Sequence, residues 1–360
     1  MSRSAIRAGF LLIAFLCCTA AHAQDAPTPA NRFLLGPPVH AAGPVVVDAR
    51  FQLQDLLEID DEQERLLFSG VLTLTWTDPR QAFDPGEEGV DEKVFQGNFQ
   101  FNEVSTGWFP QLILVNPAAP VDSQGVVLRI LPDGRSTLIE SFTANAAVKL
   151  GMGRFPFDAH HLEAEFELLG FDRDEVVLSV DPDHTETFLS GRAGIPQWRL
   201  TGSTMAVREQ PSADAGRQRV STTLVVGVDV ERRPFYMCRL VVVPLVVIVL
   251  LSFSVFWMDR SSLGDRISVS FIGILTGVAY QMMVSDSIPH ISYFTLIHGF
   301  LNLSFFTMCA TVVINLRVGK LDLAGRHDAG DRIDRRCRWI FPLVYFGLIL
   351  VMLIVAFRYF

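Results

Sequence analysis

Hydrophobic positions follow two patterns along the chain. Between residues 45 and 230, short runs alternate apolar and polar residues, and from Phe235 onward the apolar residues form long continuous runs. Alternation with a period of two is typical of a β-strand with one buried face. A continuous apolar run of about 20 residues is long enough to cross a bilayer as a helix. The pattern therefore predicts a strand-rich first part and a helical membrane part.

The alternating runs predict a β-sandwich. In residues 161–168, apolar and polar side chains fall on opposite faces of a strand: Leu162, Ala164, Phe166 and Leu168 on one, His161, Glu163, Glu165 and Glu167 on the other. Residues 72–76, 126–130 and 222–230 have a similar pattern. The segment Pro132-Asp133-Gly134 provides a hairpin turn after residues 126–130. Short strands and turns without a long helical period are typical of a sandwich.

Four apolar segments predict four transmembrane helices. They cover about residues 235–257, 265–285, 291–316 and 339–357. At about 1.5 Å per residue, each can cross a hydrocarbon core of about 30 Å. We therefore expect an all-β extracellular sandwich in residues 24–232, followed by a four-helix transmembrane bundle in residues 233–360.

The first 23 residues have the organisation of a secretory signal peptide. Arg3 and Arg7 accompany an apolar run at residues 9–20, and Ala21-His22-Ala23 matches a small-residue cleavage site. A first transmembrane helix is the alternative, which the shortness of the run disfavours. We therefore expect the following domain to be exported.

Basic residues indicate the orientation in the membrane. The connection between the third and fourth predicted spans contains Arg317, Lys320, Arg326, Arg332, Arg335, Arg336 and Arg338. The connection between the second and third spans, residues 285–290, contains no Lys or Arg. Because short loops rich in Lys and Arg remain in the cytoplasm, the N-terminal domain is predicted to lie outside it.

Composition narrows the class of protein further. The chain is 49% hydrophobic and 19% charged, against roughly 25% charged in soluble proteins, which excludes a mainly disordered chain. The net charge of −9 argues against a nucleic-acid partner, which would need a basic surface. Beyond the signal peptide, the cysteines are Cys238, Cys309 and Cys337, in or beside the apolar segments. The exported domain is therefore predicted to have no disulfide.

One helical stripe of the second span is polar at both ends. Its members are three or four residues apart: Ser268, Ile272, Leu275, Ala279, Met282 and Asp286. Asp265 and Arg266 come just before it. A charged side chain at membrane depth costs about 3 kcal/mol, so it faces protein or water. The periodicity fits equally a helix that lines a water-filled pore and a packing helix with an Asp–Arg pair at the membrane edge. Gly273 and Gly277, on another face, predict close helix packing.

Several motifs point to one family. They are Trp76-Thr77-Asp78-Pro79-Arg80, Trp108-Phe109-Pro110, Phe155-Pro156-Phe157-Asp158, Arg232-Arg233-Pro234-Phe235-Tyr236 and Gly264-Asp265-Arg266-Ile267-Ser268. With them, the chain from about Val45 onward resembles the pentameric ligand-gated ion channels, the Cys-loop receptor superfamily, and most closely its bacterial branch. In animal members two cysteines bracket the third motif, whereas this chain has Val148 and Leu162 at those positions, as bacterial members lack the disulfide.

The resemblance implies a homopentamer around a central pore, in the inner membrane of a bacterium. The implied pore-lining residues are Asp265, Ser268, Ile272, Leu275, Ala279, Met282 and Asp286. Among them, Asp265 would form the ring that selects cations and Leu275 the hydrophobic gate. The implied coupling residues between the two domains are Phe157, Asp158, Arg232 and Pro289.

The resemblance also places a ligand between neighbouring sandwiches. The candidate ligand-binding residues are Trp76, Phe171, Arg208 and Arg217. Amine-binding members use a box of aromatic rings, but residues 170–180 contain one aromatic residue and residues 207–220 contain none. An amine is therefore disfavoured, while an anionic stimulus and a proton both remain open. For the arginines, a solvated hairpin is the favoured explanation, because runs of exposed charge are usually of that kind.

The sequence thus predicts a ligand-gated, cation-selective ion channel. Its expected partners are identical subunits, membrane lipids, an unidentified agonist and permeant cations. A non-conducting membrane receptor on the same scaffold is the alternative. An enzyme is disfavoured because no common catalytic motif occurs in a credible context. No cofactor is predicted. No metal is predicted either, since the cluster Asp181, Asp183, His184 and Glu186 does not match the spacing of calcium loops.

Overall fold

The computed structural model describes residues 36–38, 43–104, 107–181, 195–211, 220–258, 263–290 and 293–359. The predicted signal peptide and Arg217 lie outside these residues, as do Asp183, His184 and Glu186.

Within the described residues, the first part of the chain forms two β-sheets. Their ten strands are β1 (Val45–Asp60), β2 (Arg65–Thr77), β3 (Lys93–Gln96), β4 (Leu112–Leu114), β5 (Asp122–Ile130), β6 (Arg135–Ala147), β7 (Ala159–Leu168), β8 (Val176–Ser179), β9 (Trp198–Pro211) and β10 (Val220–Arg232). One sheet has the order β3-β5-β6-β2-β1-β8 and the other β4-β7-β10-β9. Except for the parallel pair β1–β8, neighbouring strands are antiparallel. The predicted sandwich is confirmed.

Side chains from both sheets form the core between them. The apolar residues that alternate along β7 are all buried, as predicted: Leu162, Ala164, Phe166 and Leu168. Phe51, Phe68 and Phe142 from the first sheet meet Phe166 from the second, with neighbouring ring centroids 5.7 to 6.4 Å apart. These distances are within the usual range for favourable aromatic pairs.

The Trp76–Arg80 motif stabilises the turn after β2. The buried carboxylate of Asp78 accepts hydrogen bonds from Arg80 Nε at 2.8 Å and Arg80 Nη2 at 2.7 Å. Burial raises the pKa of Asp78, but the hydrogen bonds from Arg80 lower it by more. The pKa of the carboxyl is therefore below its ordinary value, and the group is ionised at neutral pH. Gly134 packs directly over the Asp78 backbone with φ of 82°, where a side chain would collide. The motif is therefore structural in this chain.

Four helices follow the sandwich, and each is long and apolar enough to cross a membrane: α1 (Phe235–Trp257), α2 (Leu263–Ser285), α3 (Leu296–Leu323) and α4 (His327–Tyr359). Short helical turns in the sandwich lie at Pro79–Gln81, Pro85–Glu88, Gly97–Phe99, Gln100–Val104 and Met152–Arg154. The sandwich followed by four apolar helices is the predicted fold class.

The third and fourth helices differ in extent from the predicted spans. The third starts at Leu296, where the Thr295 side chain caps its first turn, and it continues to Leu323. The fourth starts at His327, twelve residues before the predicted apolar span. Hydropathy locates the part of a helix inside the bilayer, whereas backbone hydrogen bonding continues past it into polar sequence.

The helices α1 and α3 pack closely against one side of α2. Pro244 in α1 has no N–H to donate to the Leu240 carbonyl, and the Tyr280 hydroxyl of α2 donates to that carbonyl instead. Gly273 faces Ser252 of α1, and Gly277 lies against Met308 of α3 so tightly that a side chain would not fit. The predicted close packing at these two glycines is confirmed.

Candidate functional site

One face of α2 is exposed along its whole length. All seven predicted pore-lining residues are exposed in the isolated subunit, among them Ile272 at 61%, Leu275 at 71% and Met282 at 73%. The opposite face is packed, and Gly277 and Val284 on it are buried. A stripe with carboxylates at its ends and apolar side chains between them suits a water-filled lumen with a dry constriction better than it suits lipid.

Arg266 points away from the exposed stripe. Its side chain is 1% exposed and donates to Asp334 of α4, from Nη2 at 2.9 Å and from Nη1 at 3.1 Å. Nη2 also donates to Asn315 Oδ1 of α3 at 3.2 Å, and Asn315 Nδ2 donates to Ser270 Oγ at 2.7 Å. Asp265, one residue earlier, is exposed. The two adjacent charges therefore face different surroundings, and the predicted alternative of an Asp265–Arg266 pair at the membrane edge is wrong.

A buried arginine organises the membrane-facing end of the sandwich. Arg232, the last residue of β10, donates from Nε to Asp158 and from Nη2 to Asp61, both at 2.9 Å. Its guanidinium carbon lies 4.0 Å from the ring centroid of Trp198 and 4.8 Å from that of Phe155. Charge pairing and cation–π contacts thus surround this side chain on several sides. The contact joins β10, the Phe155–Asp158 turn and the β1–β2 turn.

The Asp158 carboxylate has a second partner. Its Oδ2 lies 2.7 Å from His160 Nε2, and the His160 ring packs on Trp198 at 5.7 Å between centroids. Burial raises the pKa of Asp158, but the His160 hydrogen bond and the Arg232 charge lower it by more. The Asp158 carboxyl is therefore ionised at neutral pH, and Arg232, whose own pKa is raised, remains charged with it.

Polar contacts connect the sandwich to the α2–α3 connection. His290 approaches Glu62 in the β1–β2 turn, with Nδ1 at 2.7 Å and the backbone N–H donating at 3.0 Å. The Tyr293 hydroxyl donates to the Leu150 carbonyl and accepts from the Met152 N–H, both at 2.9 Å. The α2–α3 connection thus lies on the sandwich side, and the opposite end of α2, with Asp265, faces away from it.

The predicted coupling residues all lie at this junction. Phe157 lies 5.9 Å from Phe357 of α4 between ring centroids, beside an apolar cavity of about 220 Å³ between the turn and the helices. Pro289 immediately precedes His290, whose contact with Glu62 joins the two domains. The junction therefore brings Phe157, Asp158 and Arg232 to the sandwich side, and Pro289 to the helical side.

The structure corrects the expectation for Trp76. Its side chain is 2% exposed and packs edge-on against Trp108 in the core, with ring centroids 6.1 Å apart. Trp76 follows Leu72 and Leu74 at the same alternation of β2, which turns all three side chains inward. A ligand at the sandwich surface does not reach it. Phe171 is half-buried and packs edge-on against Trp108 at 5.7 Å, so it lies nearer the surface.

Arg208 is engaged in an ion pair across the exposed sheet face. Its Nη1 donates to Glu163 Oε2 of β7 at 3.0 Å, and Nη2 contacts the other carboxylate oxygen. The Arg208 hydrogen bond lowers the pKa of Glu163. Beside this pair, His161 Nδ1 lies 2.7 Å from Asp229 Oδ1. An anionic ligand would have to compete with Glu163 for Arg208, which weakens this candidate.

Sequence reasoning missed several partners that only the fold brings together. They are Asp61, Glu62, His160, Trp198, His290, Tyr293, Asn315 and Asp334. Each lies far along the chain from the residue it contacts, except for His160, which is two positions from Asp158. That spacing was a usable signal, because Asp158 directly precedes β7 and alternate residues of an extended chain lie on the same side. Among the residues that the structure describes, no group of three His, Cys, Asp or Glu side chains is arranged to hold a metal ion.

Comparison with known proteins assigns the family. The model of the neurotransmitter-gated ion-channel ligand binding domain matches residues 33–234, more than half of the chain. The chain belongs to this family of ion channels. It is a multi-pass membrane protein with an extracellular ligand-binding domain, and its family consists of ligand-gated channels, not enzymes.

Curated relatives cover most of the chain. A proton-gated ion channel of Gloeobacter violaceus is 25% identical over 328 residues, 90% of this chain and 86% of the relative. A gamma-aminobutyric acid receptor subunit beta of Caenorhabditis elegans is 25% identical over 66% of this chain, and subunit theta of Mus musculus is 24% identical over 84%. The matches span 42% and 46% of those two receptor subunits. The likeness to the bacterial channel thus extends through both the sandwich and the helices.

Proposed function

We propose that five copies of this chain form a cation-selective channel in the inner membrane of a bacterium, opened by a stimulus on the extracellular domain. One observation carries the proposal: the seven residues from Asp265 to Asp286 form an exposed stripe along α2 and its end, while Gly277 and Val284 on the opposite face of the helix are buried. Five such stripes around an axis would enclose a lumen.

The chemistry of the stripe supports a gated pore. Leu275 and Ile272 are large, apolar and strongly exposed near its middle. A ring of such side chains closes a pore by excluding water, without blocking it by charge. Ser268 and Ala279 leave more room on either side.

Cation selectivity follows from the charge at the inner mouth. Asp265 is exposed there, and Arg266 is turned into the bundle, so the carboxylate is the side chain offered to the lumen. A ring of carboxylates concentrates cations and repels anions.

The junction contacts support coupling between the domains. The Arg232–Asp158–Asp61 cluster joins three segments of the sandwich that face the helices. Glu62 of the sandwich contacts His290, and Leu150 of the sandwich contacts Tyr293. These contacts attach the α2–α3 connection to the same end of the sandwich. A ligand that binds one arrangement of the sandwiches more tightly would bias the position of α2 through these contacts.

Protons are the stimulus that a specific observation favours. The relative of Gloeobacter violaceus is a proton-gated channel. In this chain His160, His161 and His290 each lie 2.7 Å from a carboxylate oxygen, and two of them are at the junction. Histidine is the side chain whose ordinary pKa allows its charge to change between pH 5 and 8.

Recording from planar bilayers tests the proposal. The purified chain should pass current when the extracellular side is acidified, and the reversal potential in a salt gradient should indicate cation preference. Asp265→Ala should move the reversal potential toward that of an unselective pore. Asp328→Ala, which removes an exposed carboxylate of α4 from outside the stripe, is the matched control. An unchanged reversal potential in Asp265→Ala would remove this residue from selectivity, and silence at every pH and with a panel of small metabolites and divalent ions would favour a non-conducting receptor.

A further inference from the structure

Two opposite charges are neighbours at the inner mouth of the proposed pore. If Asp265 and Arg266 both faced the lumen, their charges would cancel in every subunit. Adjacent residues of a helix are about 100° apart, so the helix itself does not decide which of the two faces the lumen. The surroundings decide, and they are known for both: Asp265 is exposed and Arg266 is 1% exposed.

The burial of Arg266 depends on groups from three helices. Ser270 lies one turn further on α2 and donates to the Arg266 carbonyl at 3.0 Å. Asn315 of α3 accepts from the guanidinium and donates to Ser270. These neighbours hold the orientation but carry no charge. Asp334 of α4 supplies the negative charge, through two hydrogen bonds of 2.9 and 3.1 Å.

We propose that Asp334 is a specificity-determining residue of the channel, because it holds and neutralises Arg266 outside the lumen and so leaves Asp265 as the charge that permeating ions meet. The proposal rests on the proposed function, since it concerns the selectivity of the same pore. Asp334 acts as a positioning residue through Arg266 and itself does not touch the permeating ion. Because Asp334 lies on α4, the last helix of the chain also contributes to ion selectivity.

Electrostatics explains why neutralisation matters as much as orientation. A buried cation without its counter-charge is costly, so a long arginine side chain relieved of Asp334 would turn toward water, and the proposed lumen next to Asp265 is one place where it would meet water. Even without reorientation, its field reaches the lumen because interactions within a protein are weakly screened by salt. Either event reduces the local preference for cations.

The two single variants are therefore expected to differ. Asp334→Asn leaves the charge of Arg266 without this carboxylate and should lower the ratio of sodium to chloride permeability by about tenfold, because a unit positive charge roughly 10 Å away at a permittivity of about 50 disfavours the cation about threefold and favours the anion about threefold. Arg266→Gln removes a positive charge and should keep the ratio at the wild-type value or raise it. The double variant removes both charges and should return the ratio to within about twofold of wild type.

The control and the contrary outcomes follow from the same geometry. Asp328→Asn removes an exposed carboxylate from the same helix, away from Arg266, and should not move the reversal potential. A merely structural pair predicts shifts of the same sign, or altered expression with an unchanged reversal potential, in both single variants; either result overturns the proposal. Where Asp334→Asn fails to assemble, as judged by size-exclusion chromatography, Arg266→Gln decides alone, because a fall in its cation preference contradicts the proposal.

The proposal and the function beneath it fail in different ways. A wild-type channel that is silent or prefers anions contradicts the proposed function. A wild-type cation channel in which Asp265→Ala shifts the reversal potential, but Arg266→Gln and Asp334→Asn do not, contradicts only the role of Asp334.

Discussion

Two buried arginines lie at opposite ends of the membrane domain, and their partners differ. Arg232, at the sandwich end, has two carboxylates and two aromatic rings around it. Arg266, at the far end of α2, has one aspartate and one amide, and its Nε has no hydrogen-bond partner among the described residues. The first cluster pairs its arginine with two carboxylates and joins segments of one domain. Among the described residues, the second pairs its arginine with one carboxylate and joins three helices.

The difference has a functional consequence. Under the proposed function, the Arg232 cluster links segments that move together when the extracellular domain changes, so an arginine with several partners is advantageous there. The Arg266 cluster lies beside the proposed selectivity ring, where a balanced charge matters more than a large number of contacts. Burial alone therefore does not define the role of an arginine, because the net charge of its partners differs between the two sites.

The largest effect that would test this comparison comes from Arg232→Ala. It leaves Asp158 and Asp61 without their shared cation, and breaking a buried pair in this way costs about 3 to 5 kcal/mol. We expect a clearly lower melting temperature of the detergent-solubilised protein and little channel at the membrane. The control is Arg129→Ala, an exposed pair with Glu92 at 3.1 Å, for which about 0 to 1 kcal/mol is expected. Equal melting temperatures for the two variants would contradict the central role of Arg232.

The proposed gate, Leu275, lies between the two arginine clusters and should respond independently of them. Leu275→Ser replaces the large apolar side chain at the middle of the stripe and wets the constriction. In the closed state of the proposed pore, the five Leu275 side chains would shield one another from water. Losing this apolar contact weakens the closed state by about 1.5 kcal/mol, which corresponds to about tenfold less stimulus for half-maximal current. Leu323→Ser, at the exposed end of α3, should leave the dose–response curve in place. An unshifted curve in Leu275→Ser would argue against a hydrophobic gate at this position.

A smaller effect is expected at the exposed link between the domains. Glu62→Gln removes the charge that faces His290 at 2.7 Å, and an exposed pair of this kind contributes little because water screens it. We expect at most about a fivefold higher stimulus for half-maximal current, with an unchanged melting temperature. Glu87→Gln, also exposed but in the sandwich away from the junction, is the control. If Glu62→Gln lowered the melting temperature as much as Arg232→Ala, the contrast between buried and exposed contacts would be wrong.

The smallest effect concerns pH at the Arg232 cluster. The pKa of Asp158 is lowered in the folded protein, so its stabilising contribution is present above its unfolded value of about 3.9 and is lost as pH falls through the lower folded value. The difference in melting temperature between wild type and Asp158→Asn should therefore be smaller below about pH 4 than at pH 7. A difference that does not shrink below about pH 4 would contradict the lowered pKa of Asp158, and a change between pH 5 and 8 would show that this cluster titrates with the proposed proton stimulus.

Much of the fold could be predicted from local patterns. The alternation in β7 and β2 identified the inward-facing apolar side chains correctly, because strand geometry repeats every two residues wherever the strand is placed. Glu167 of β7 is an exception on the polar face, since it is buried and accepts a hydrogen bond from Ser221 Oγ at 2.6 Å. The same alternation already placed Trp76 beside Leu72 and Leu74 on the inward face, although its motif suggested a ligand contact. For Trp76, the alternation along β2 predicted the observed burial, whereas the motif predicted a ligand contact that the buried side chain does not allow.

The sequence by itself determined the strands, the four apolar helices, the orientation indicated by the basic loop, and the stripe from Asp265 to Asp286. These follow from periodicity and hydropathy, which are properties of neighbouring residues. The tertiary structure decided that Arg266 turns inward to Asp334, 68 positions away, and that Asp61 and His160 complete the cluster at Arg232. The reason is physical: a helix or strand specifies the angle between its side chains, but only the packing of other elements against it determines which face meets protein and which meets water.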